Sequence, residues 1–234
     1  MSEARDPSGV CHGRHPSDLG TRMPVMSRRR FIFSLALSAL LAACGKAAKL
    51  PAIPRGASVL AFGDSVTFGT GAAQGEDWPT LLAALTGWAI ANAGIPGDTT
   101  AAARTRIGPL LDEFRPALVI VELGGNDFIR RRPHATVKED LRGIVRAARQ
   151  AGAQVVLVAV PELSLLGAVA GRPSDAALYA ELADEEGVRL VPDVFSSILA
   201  RPELCADRIH PNARGYREMA AGIHAALRSI GLAA

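Results

Sequence analysis

Cysteine is scarce in this chain of 234 residues, which contains only Cys11, Cys44 and Cys205. No two of these cysteines form a CxxC pair, and none belongs to a Cys/His cluster with the spacing of zinc ligands. A disulfide framework needs a set of spaced cysteines, and a structural zinc site needs paired ligands. The sequence therefore predicts neither of these, and we expect no bound metal.

Three common enzyme motifs are also missing. The phosphate-binding loop GxxxxGK[ST] is absent, because Gly45-Lys46 is followed by alanine. The dinucleotide fingerprint fails after Gly69 and Gly71, since Gln74 stands where its third glycine should be. The nucleophile elbow GxSxG does not occur either. These absences argue against a bound nucleotide, and the sequence indicates no cofactor.

Excess positive charge is confined to the N-terminal region. Residues 1–43 contain six of the 26 basic residues and three of the 23 acidic ones, which leaves 20 of each in the rest of the chain. The formal net charge of +3 is therefore a property of the N-terminus. Because nucleic-acid-binding domains concentrate Lys and Arg on one surface, the sequence indicates no nucleic-acid partner.

The N-terminal region has the pattern of an export signal. Residues 28–30 are three arginines, and residues 31–43 are uncharged and mostly apolar. This apolar stretch would span roughly 20 Å as a helix, short of the ~30 Å hydrocarbon core of a bilayer. Residues 26–43 are therefore predicted to be a signal peptide, and they resemble a twin-arginine signal. Residues 1–25 are predicted to be a non-structural upstream extension.

A candidate lipidation site follows this signal. The segment LAAC at residues 41–44 resembles a bacterial lipobox, in which the cysteine thiol receives diacylglycerol and the chain is cut just before it. The resemblance implies an exported lipoprotein, anchored through Cys44 to a membrane of the bacterial cell envelope and facing the periplasm. The alternative is an ordinary secretory signal in which Cys44 has no role. Residues 44–56 are expected to be a tether, and residues 57–234 a single domain.

Apolar runs alternate with amphipathic segments along the rest of the chain. The runs predict strands at 58–62, 88–92, 117–123, 154–160 and 188–191, and the segments between and after them predict helices at 78–86, 99–114, 136–151, 174–186 and 212–230. Near-continuous apolar strands that alternate with helices are typical of a parallel sheet covered on both faces. Ligands of such sheets bind beyond the carboxyl ends of the strands.

Four polar motifs occur at predicted strand ends or before the last helix. They are GDS at residues 63–65, Gly97 within GIPGDT, GGND at residues 124–127, and Asp207 three residues before His210. An aspartate at this distance in a loop can accept a hydrogen bond from the histidine ring and leave its other nitrogen as a base. Each motif alone is also typical of an ordinary turn, helix cap or surface loop.

Together and in this order, the four motifs resemble those of the SGNH hydrolases, also called GDSL lipases/esterases. The resemblance extends from about residue 58 to residue 231. The phrase ELGGND at 122–127, with GDTT at 97–100, is most similar to the branch of arylesterases, thioesterases and lysophospholipases. The resemblance implies an α/β fold, a flavodoxin-like three-layer α/β/α sandwich with a five-stranded parallel sheet.

The resemblance also implies a role for each motif residue. Ser65 would be the nucleophile, His210 the base, and Asp207 the group that orients His210. The N–H groups of Ser65 and Gly97 and the side-chain amide of Asn126 would form the oxyanion hole. This agrees with elementary chemistry, since a serine hydroxyl is a poor nucleophile until a base accepts its proton.

Further residues near these motifs have other expected roles. Asp64 and Asp127 are expected to be structural and to hold two loops by hydrogen bonds. Arg130-Arg131-Arg132 form either a solvated turn or a contact with anionic head groups or glycans. The apolar, glycine-containing segment at 161–174 is expected to be a loop that helps to shape the acyl site.

The function implied is that of a serine esterase that hydrolyses carboxylic esters through an acyl-enzyme intermediate. Its substrates would be small acyl esters, thioesters or lysolipids. Two alternatives remain open at this point. One is an O-acetylesterase that acts on cell-wall or exported polysaccharide with the same triad, and the other is a non-catalytic lipoprotein that keeps the fold for binding.

Overall fold

The computed structural model of the protein describes residues 51–162 and 173–234. The predicted signal peptide and Cys44 lie outside these residues. So does most of the segment at 161–174 that is expected to shape the acyl site.

Five parallel strands form one sheet in the order β2-β1-β3-β4-β5. Their bounds are β1 Ser58–Gly63, β2 Ala89–Gly94, β3 Leu118–Glu122, β4 Gln154–Val158 and β5 Arg189–Val191. Strands with apolar residues on both faces are stable only under helices on both sides, and all five residues of β3 are buried. The five-stranded parallel sheet expected from the sequence is confirmed.

Helices connect the strands. Those of the described residues are α1 Ser65–Phe68, α2 Trp78–Thr86, α3 Thr100–Phe114, α4 Gly125–Ile129, α5 His134–Gln150, α6 Leu178–Glu186, α7 Val194–Leu199 and α8 Ala213–Ser229. The connection from β1 to β2 crosses the sheet in one direction, and the later connections cross in the other. Because such crossovers are right-handed, α2 lies on one face and α3, α5 and α6 lie on the other. Helix α8 packs on α2, which completes the three-layer α/β/α sandwich.

The strand order creates a crevice at the carboxyl edge of the sheet. The chain leaves β1 toward one side and β3 toward the other, although these strands are neighbours. Loops that diverge from adjacent parallel strands leave a gap between them, where ligands of such sheets bind. Ser65 follows β1 and Asn126 follows β3, so the topology places both at this crevice.

Several helix starts follow from local capping residues. Thr99 precedes α3, and its Oγ1 accepts a hydrogen bond from Ala102 N at 3.3 Å. Asn212 caps α8 in the same way. The helix expected at 174–186 begins only at Leu178, because Asp175 forms an isolated antiparallel bridge with Pro161.

Ile53, which the sequence pattern places in the tether, contacts the described domain. Ile53 is buried, its N–H donates to Leu232 O at 2.9 Å, and its carbonyl accepts from Trp88 Nε1 at 3.2 Å. Ile53 is the buried residue of the segment 51–56, and the other residues of this segment are exposed. Among the helices of the described residues, none combines the length and the apolar character needed to cross a membrane.

Candidate active site

The turn after β1 presents Ser65 at the edge of the sheet. Gly63 ends the strand, and a Cβ at this position would collide with the carbonyl oxygen of Glu122 and the side chain of Thr67. Asp64 then caps α1, with its Oδ1 accepting from Val66 N at 3.1 Å. Ser65 is the first residue of this short helix and is half-buried, so its hydroxyl is held at the edge with access to the crevice.

His210 lies between Ser65 and Asp207. Its Nε2 is 2.9 Å from Ser65 Oγ, and its Nδ1 is 2.8 Å from Asp207 Oδ2. Residues 145 positions apart in the chain are thus brought to hydrogen-bond distance. A histidine with an acceptor on Nδ1 carries its proton there and leaves Nε2 free to accept one. The three side chains can therefore move a proton from the serine hydroxyl to the ring.

The loop of Asp207 is organised by the aspartate itself. Its Oδ1 accepts hydrogen bonds from the N–H groups of Ile209 and His210, both at 2.8 Å. Partial burial opposes ionisation of Asp207, but the hydrogen bond from the His210 ring and the two backbone donors outweigh it and hold the pKa of Asp207 below its usual range. The carboxylate consequently stays charged near neutral pH and fixes the orientation of the ring.

Asn126 reaches the same place from the end of β3. Helix α4 begins at Gly125, so Asn126 lies in its first turn and lines the cavity beside Ser65. One hydrogen of its amide is directed at Asp64, with Nδ2 3.2 Å from Oδ2. An amide nitrogen has two hydrogens. The second hydrogen is therefore available to an oxygen atom bound in the cavity.

The turn before Asn126 is shaped by close packing. Gly124 has a φ of +133°, and a Cβ there would collide with the hydroxyl of Tyr179. That hydroxyl donates to Leu123 O at 2.7 Å. Since L residues with a side chain rarely adopt this backbone conformation, glycine is required at this position, and Tyr179 holds the turn from α6.

Gly97 occupies the loop after β2, at the same edge of the sheet. Its φ is +79°, and no atom lies within 4 Å of the position of a Cβ. Its carbonyl accepts from Arg130 Nη2 at 3.2 Å. Unlike Ser65, Asn126 and His210, Gly97 is not among the described residues that line the cavity. The structure thus brings three of the predicted residues to one cavity, with Asp207 behind His210 and Gly97 in the neighbouring loop.

The cavity beside Ser65 has a polar side and an apolar side. Ser65, Asn126 and His210 supply polar groups that can act on a reacting carbonyl. The apolar lining comes from five side chains, those of Val66, Ile129, Val160, Phe195 and Ile209. This division suits an ester whose acyl chain lies on the apolar side and whose carbonyl meets the polar groups.

A buried carboxyl pair lies beneath the turn that carries Ser65. Burial raises the pKa of Glu122 well above its usual range, and the nearby Asp64 raises it further. Burial also raises the pKa of Asp64 to about 6, against the hydrogen bonds from Val66 and Asn126. With a pKa of about 6, Asp64 is mostly charged near neutral pH. A charged Asp64 is the better acceptor for the amide of Asn126.

Glu122 is a residue to which sequence reasoning gave no role. Its Oε2 accepts from Thr67 Oγ1 at 2.8 Å, while Oε1 has no partner among the described residues. The signal in the sequence is an acidic residue within the apolar run ALVIVEL, because a buried carboxyl is costly unless it is hydrogen-bonded. Glu122 links β3 to α1 and so supports the turn that carries Ser65.

Asp127 connects the second and third motif loops. Its carboxylate accepts from Thr100 N at 2.9 Å and Thr100 Oγ1 at 2.8 Å, and it pairs with Arg132. Arg132 also binds Asp140 at 2.8 Å. The arginine run at 130–132 is therefore not one surface feature, since Arg132 belongs to this internal network while its two neighbours are exposed.

Metal-ligating side chains are not clustered in the described ranges. Within residues 51–162 and 173–234, no group of three or more His, Cys, Asp or Glu side chains could hold a metal ion.

Comparison with known proteins gives consistent matches. Residues 61–218 match the model of the GDSL-like Lipase/Acylhydrolase family. The chain is 32% identical over 161 residues to the arylesterase of Vibrio mimicus, covering 65% of this chain and 79% of the relative. It is also 32% identical over 162 residues to thioesterase 1/protease 1/lysophospholipase L1 of Escherichia coli (strain K12), covering 66% and 76%.

A solved structure is also similar to this protein. The crystal structure of TesA has a TM-score of 0.66 and 29% sequence identity to this protein, over 74% of this chain and 99% of that one. The match extends over nearly the whole of that chain, so the sheet and helices described above have the arrangement of a known esterase-type fold.

Proposed function

The chain belongs to the GDSL-like lipase/acylhydrolase family, and from this premise we propose that it is an acyl ester hydrolase that works through Ser65, His210 and Asp207. The observation that carries the proposal is the position of the His210 ring, 2.9 Å from Ser65 Oγ and 2.8 Å from Asp207 Oδ2. Ser65 and His210 are far apart in the sequence, so their contact is a specific result of the fold. The contact gives the serine hydroxyl a base, which nucleophilic catalysis requires.

The proposed reaction has two halves. His210 Nε2 accepts the proton of Ser65 Oγ as that oxygen attacks the ester carbonyl, and the negative charge on the carbonyl oxygen is met by the amide of Asn126 and by the N–H groups of Ser65 and Gly97. The C–O bond breaks, the alcohol takes the proton from His210, and an acyl group remains on Ser65. Water then attacks this acyl-enzyme with the same base, which releases the acid and restores Ser65.

The proposed substrates are small acyl esters and lysolipids. The named relatives are an arylesterase and a thioesterase with lysophospholipase function. In this protein, the apolar side chains of Ile129, Val160, Phe195 and Ile209 border the cavity of the nucleophile. An acyl chain on these side chains would place its carbonyl between Ser65 and Asn126.

A hydrolysis panel with Ser65→Ala as the control tests this function. The panel contains p-nitrophenyl esters of increasing chain length, an acyl-thioester, a lysophospholipid and an acetylated glycan. We expect hydrolysis of acyl esters with an initial burst of p-nitrophenol, and neither burst nor turnover with the Ser65→Ala variant. Equal rates for the two proteins would refute the proposal. Turnover of the acetylated glycan alone would support the O-acetylesterase instead.

We propose further that the enzyme is an exported lipoprotein. Support comes from the basic and apolar segment at 28–43 and the lipobox-like residues at 41–44. The described domain begins near the amino edge of the sheet, where Pro51 O accepts from Gln154, the first residue of β4. The described residues thus begin at the edge of the sheet opposite Ser65, and lipidation of Cys44 can be tested separately from catalysis.

Mass spectrometry of the mature protein from a bacterial host should find Cys44 as its acylated N-terminal residue. Each buried CH₂ adds about 0.8 kcal/mol of membrane affinity, so several acyl chains give a firm anchor. Cys44→Ser should abolish acylation and leave the hydrolysis of soluble esters unchanged. Cys205→Ser is the matched control, since Cys205 is a half-buried thiol near Ile198 O. The Cys205→Ser protein should still be acylated at Cys44. An unmodified N-terminus downstream of Cys44 would contradict the proposal.

A further inference from the structure

One arginine of α3 binds three separate segments at the carboxyl edge of the sheet. Arg106 Nη2 donates to Gly63 O at 2.9 Å, Nη1 donates to Ala93 O at 2.9 Å, and Nε donates to Asp98 Oδ2 at 2.8 Å. These acceptors lie at the ends of β1 and β2 and in the loop that follows β2. A single planar guanidinium therefore fixes their relative positions.

The surroundings of this guanidinium make it rigid. Its Cζ lies 4.2 Å from the centre of the Phe62 ring, and the side chain of Arg106 is 20% exposed. The partner carboxylate of Asp98 is 7% exposed and also accepts from Thr99 N. Stacking on an aromatic ring and three donors in one plane are properties of arginine that lysine does not share.

The segments joined by Arg106 carry two of the proposed catalytic groups. Gly63 O belongs to the residue just before Asp64-Ser65, and Asp98 directly follows Gly97. We propose that Arg106 is a positioning residue that sets the N–H of Gly97 at its working distance from Ser65. The inference rests on the proposed function, because it assigns Arg106 to the oxyanion hole of that esterase.

The loop of Gly97 needs such support. No atom lies within 4 Å of where a Cβ of Gly97 would be, so little packing holds the loop on that side. The loop is tied to the nucleophile turn by the backbone bond from Ile95 N to Gly63 O at 3.1 Å, and Arg106 binds the same carbonyl. A donor displaced by an ångström loses contact with an oxyanion but hardly affects substrate binding.

Kinetics of Arg106→Lys and Arg106→Met on a short p-nitrophenyl ester test the inference. We expect kcat to fall by about 10²-fold in the methionine variant, with KM changed by less than about threefold. The lysine variant should recover part of kcat, because an ammonium can bind Asp98 but cannot reach all three acceptors. Arg104→Met is the matched control on the same helix. Arg104 is 55% exposed and binds Asp140 instead, so its loss should leave kcat unchanged.

A second variant separates positioning from folding. Arg106→Met leaves the buried Asp98 carboxylate without its cation, which destabilises the protein by itself. Arg106→Met combined with Asp98→Asn removes that charge. We expect thermal stability to recover in this double variant while kcat stays low. Recovery of kcat together with stability would overturn the inference, and so would an unchanged kcat in both single variants.

Hydrogen exchange gives a readout that is independent of activity. The amides of residues 94–98 should exchange faster in Arg106→Lys than in the unmodified protein or in Arg104→Met. Equal exchange would overturn the positioning role even if kcat fell. If Ser65→Ala hydrolyses esters as fast as the unmodified protein, the proposed function fails, whereas the exchange result still decides whether Arg106 holds this loop.

Discussion

Ser65→Ala and His210→Ala should each lower kcat for a p-nitrophenyl ester by about 10⁶-fold, and the double variant should lose little more. The reason is that the two side chains act as one unit. Without Ser65 no acyl-enzyme forms, and without His210 Nε2 at 2.9 Å no group accepts the serine proton. Steady-state kinetics with circular dichroism as a check on folding will measure the three values.

Asp207→Asn should cost less, by about 10⁴-fold. Asp207 orients the ring and stabilises its charged form, but it does not itself move the proton. The backbone N–H groups of Ile209 and His210 can still bind the asparagine oxygen, so the loop should keep its shape. A larger loss at Asp207 than at His210, or additive losses at Ser65 and His210, would contradict the roles assigned to the triad.

The strands and long helices could be predicted because their signals are local. Apolar runs gave every strand of the sheet to within about two residues, and α2 begins and ends where its pattern indicates. Thr99 and Asn212 are cap residues at the starts of α3 and α8. In each case an apolar run or a capping residue determines where the helix or strand lies. Both features are visible in the sequence.

Three short helices were not predicted. α1, α4 and α7 have only four to six residues, which is too few for a hydrophobic period to show. GGND is typical of a turn, yet Gly125 begins α4, and Tyr179 from a distant helix binds the carbonyl of Leu123 two residues earlier. Asp193 precedes α7 with a φ of +61°, a conformation that the sequence alone does not indicate.

The site shows the same division between local and distant causes. The residues Ser65, Gly97, Asn126, Asp207 and His210 are indicated by the sequence through four ordered motifs and the family resemblance that these motifs carry. Arg106 carries no such signal. Its three acceptors are backbone and side-chain oxygens that only the folded chain brings together, and a lone arginine on an amphipathic helix is otherwise a typical surface residue.

Asn126 distinguishes this site from one built of backbone donors alone. Its amide is a side-chain donor that a single substitution removes, and it is held on one side by Asp64 Oδ2 at 3.2 Å. Asp64 itself caps α1, and it is mostly charged near neutral pH because its pKa is raised only to about 6. In the proposed mechanism, the fixed amide would meet a developing oxyanion without having to reorient, which is the condition for electrostatic stabilisation of a transition state.

Asn126→Ala should consequently lower kcat by about 10²–10³-fold and leave KM nearly unchanged, because the donor acts on charge that develops in the transition state. The protein should still fold, since Asn126 is only half-buried and lies outside the hydrophobic core.

Asn126→Asp should be at least as harmful. The new carboxylate would face both the oxyanion and the charged Asp64, and it offers no hydrogen to either. Because the repulsion from Asp64 weakens when a carboxyl is protonated, this variant should lose less stability at pH values below the Asp64 pKa of about 6 than above it. Thermal melts across that range and steady-state kinetics on a fast ester will measure both effects. A folded Asn126→Ala enzyme with nearly normal kcat would show that the oxyanion is bound by other groups.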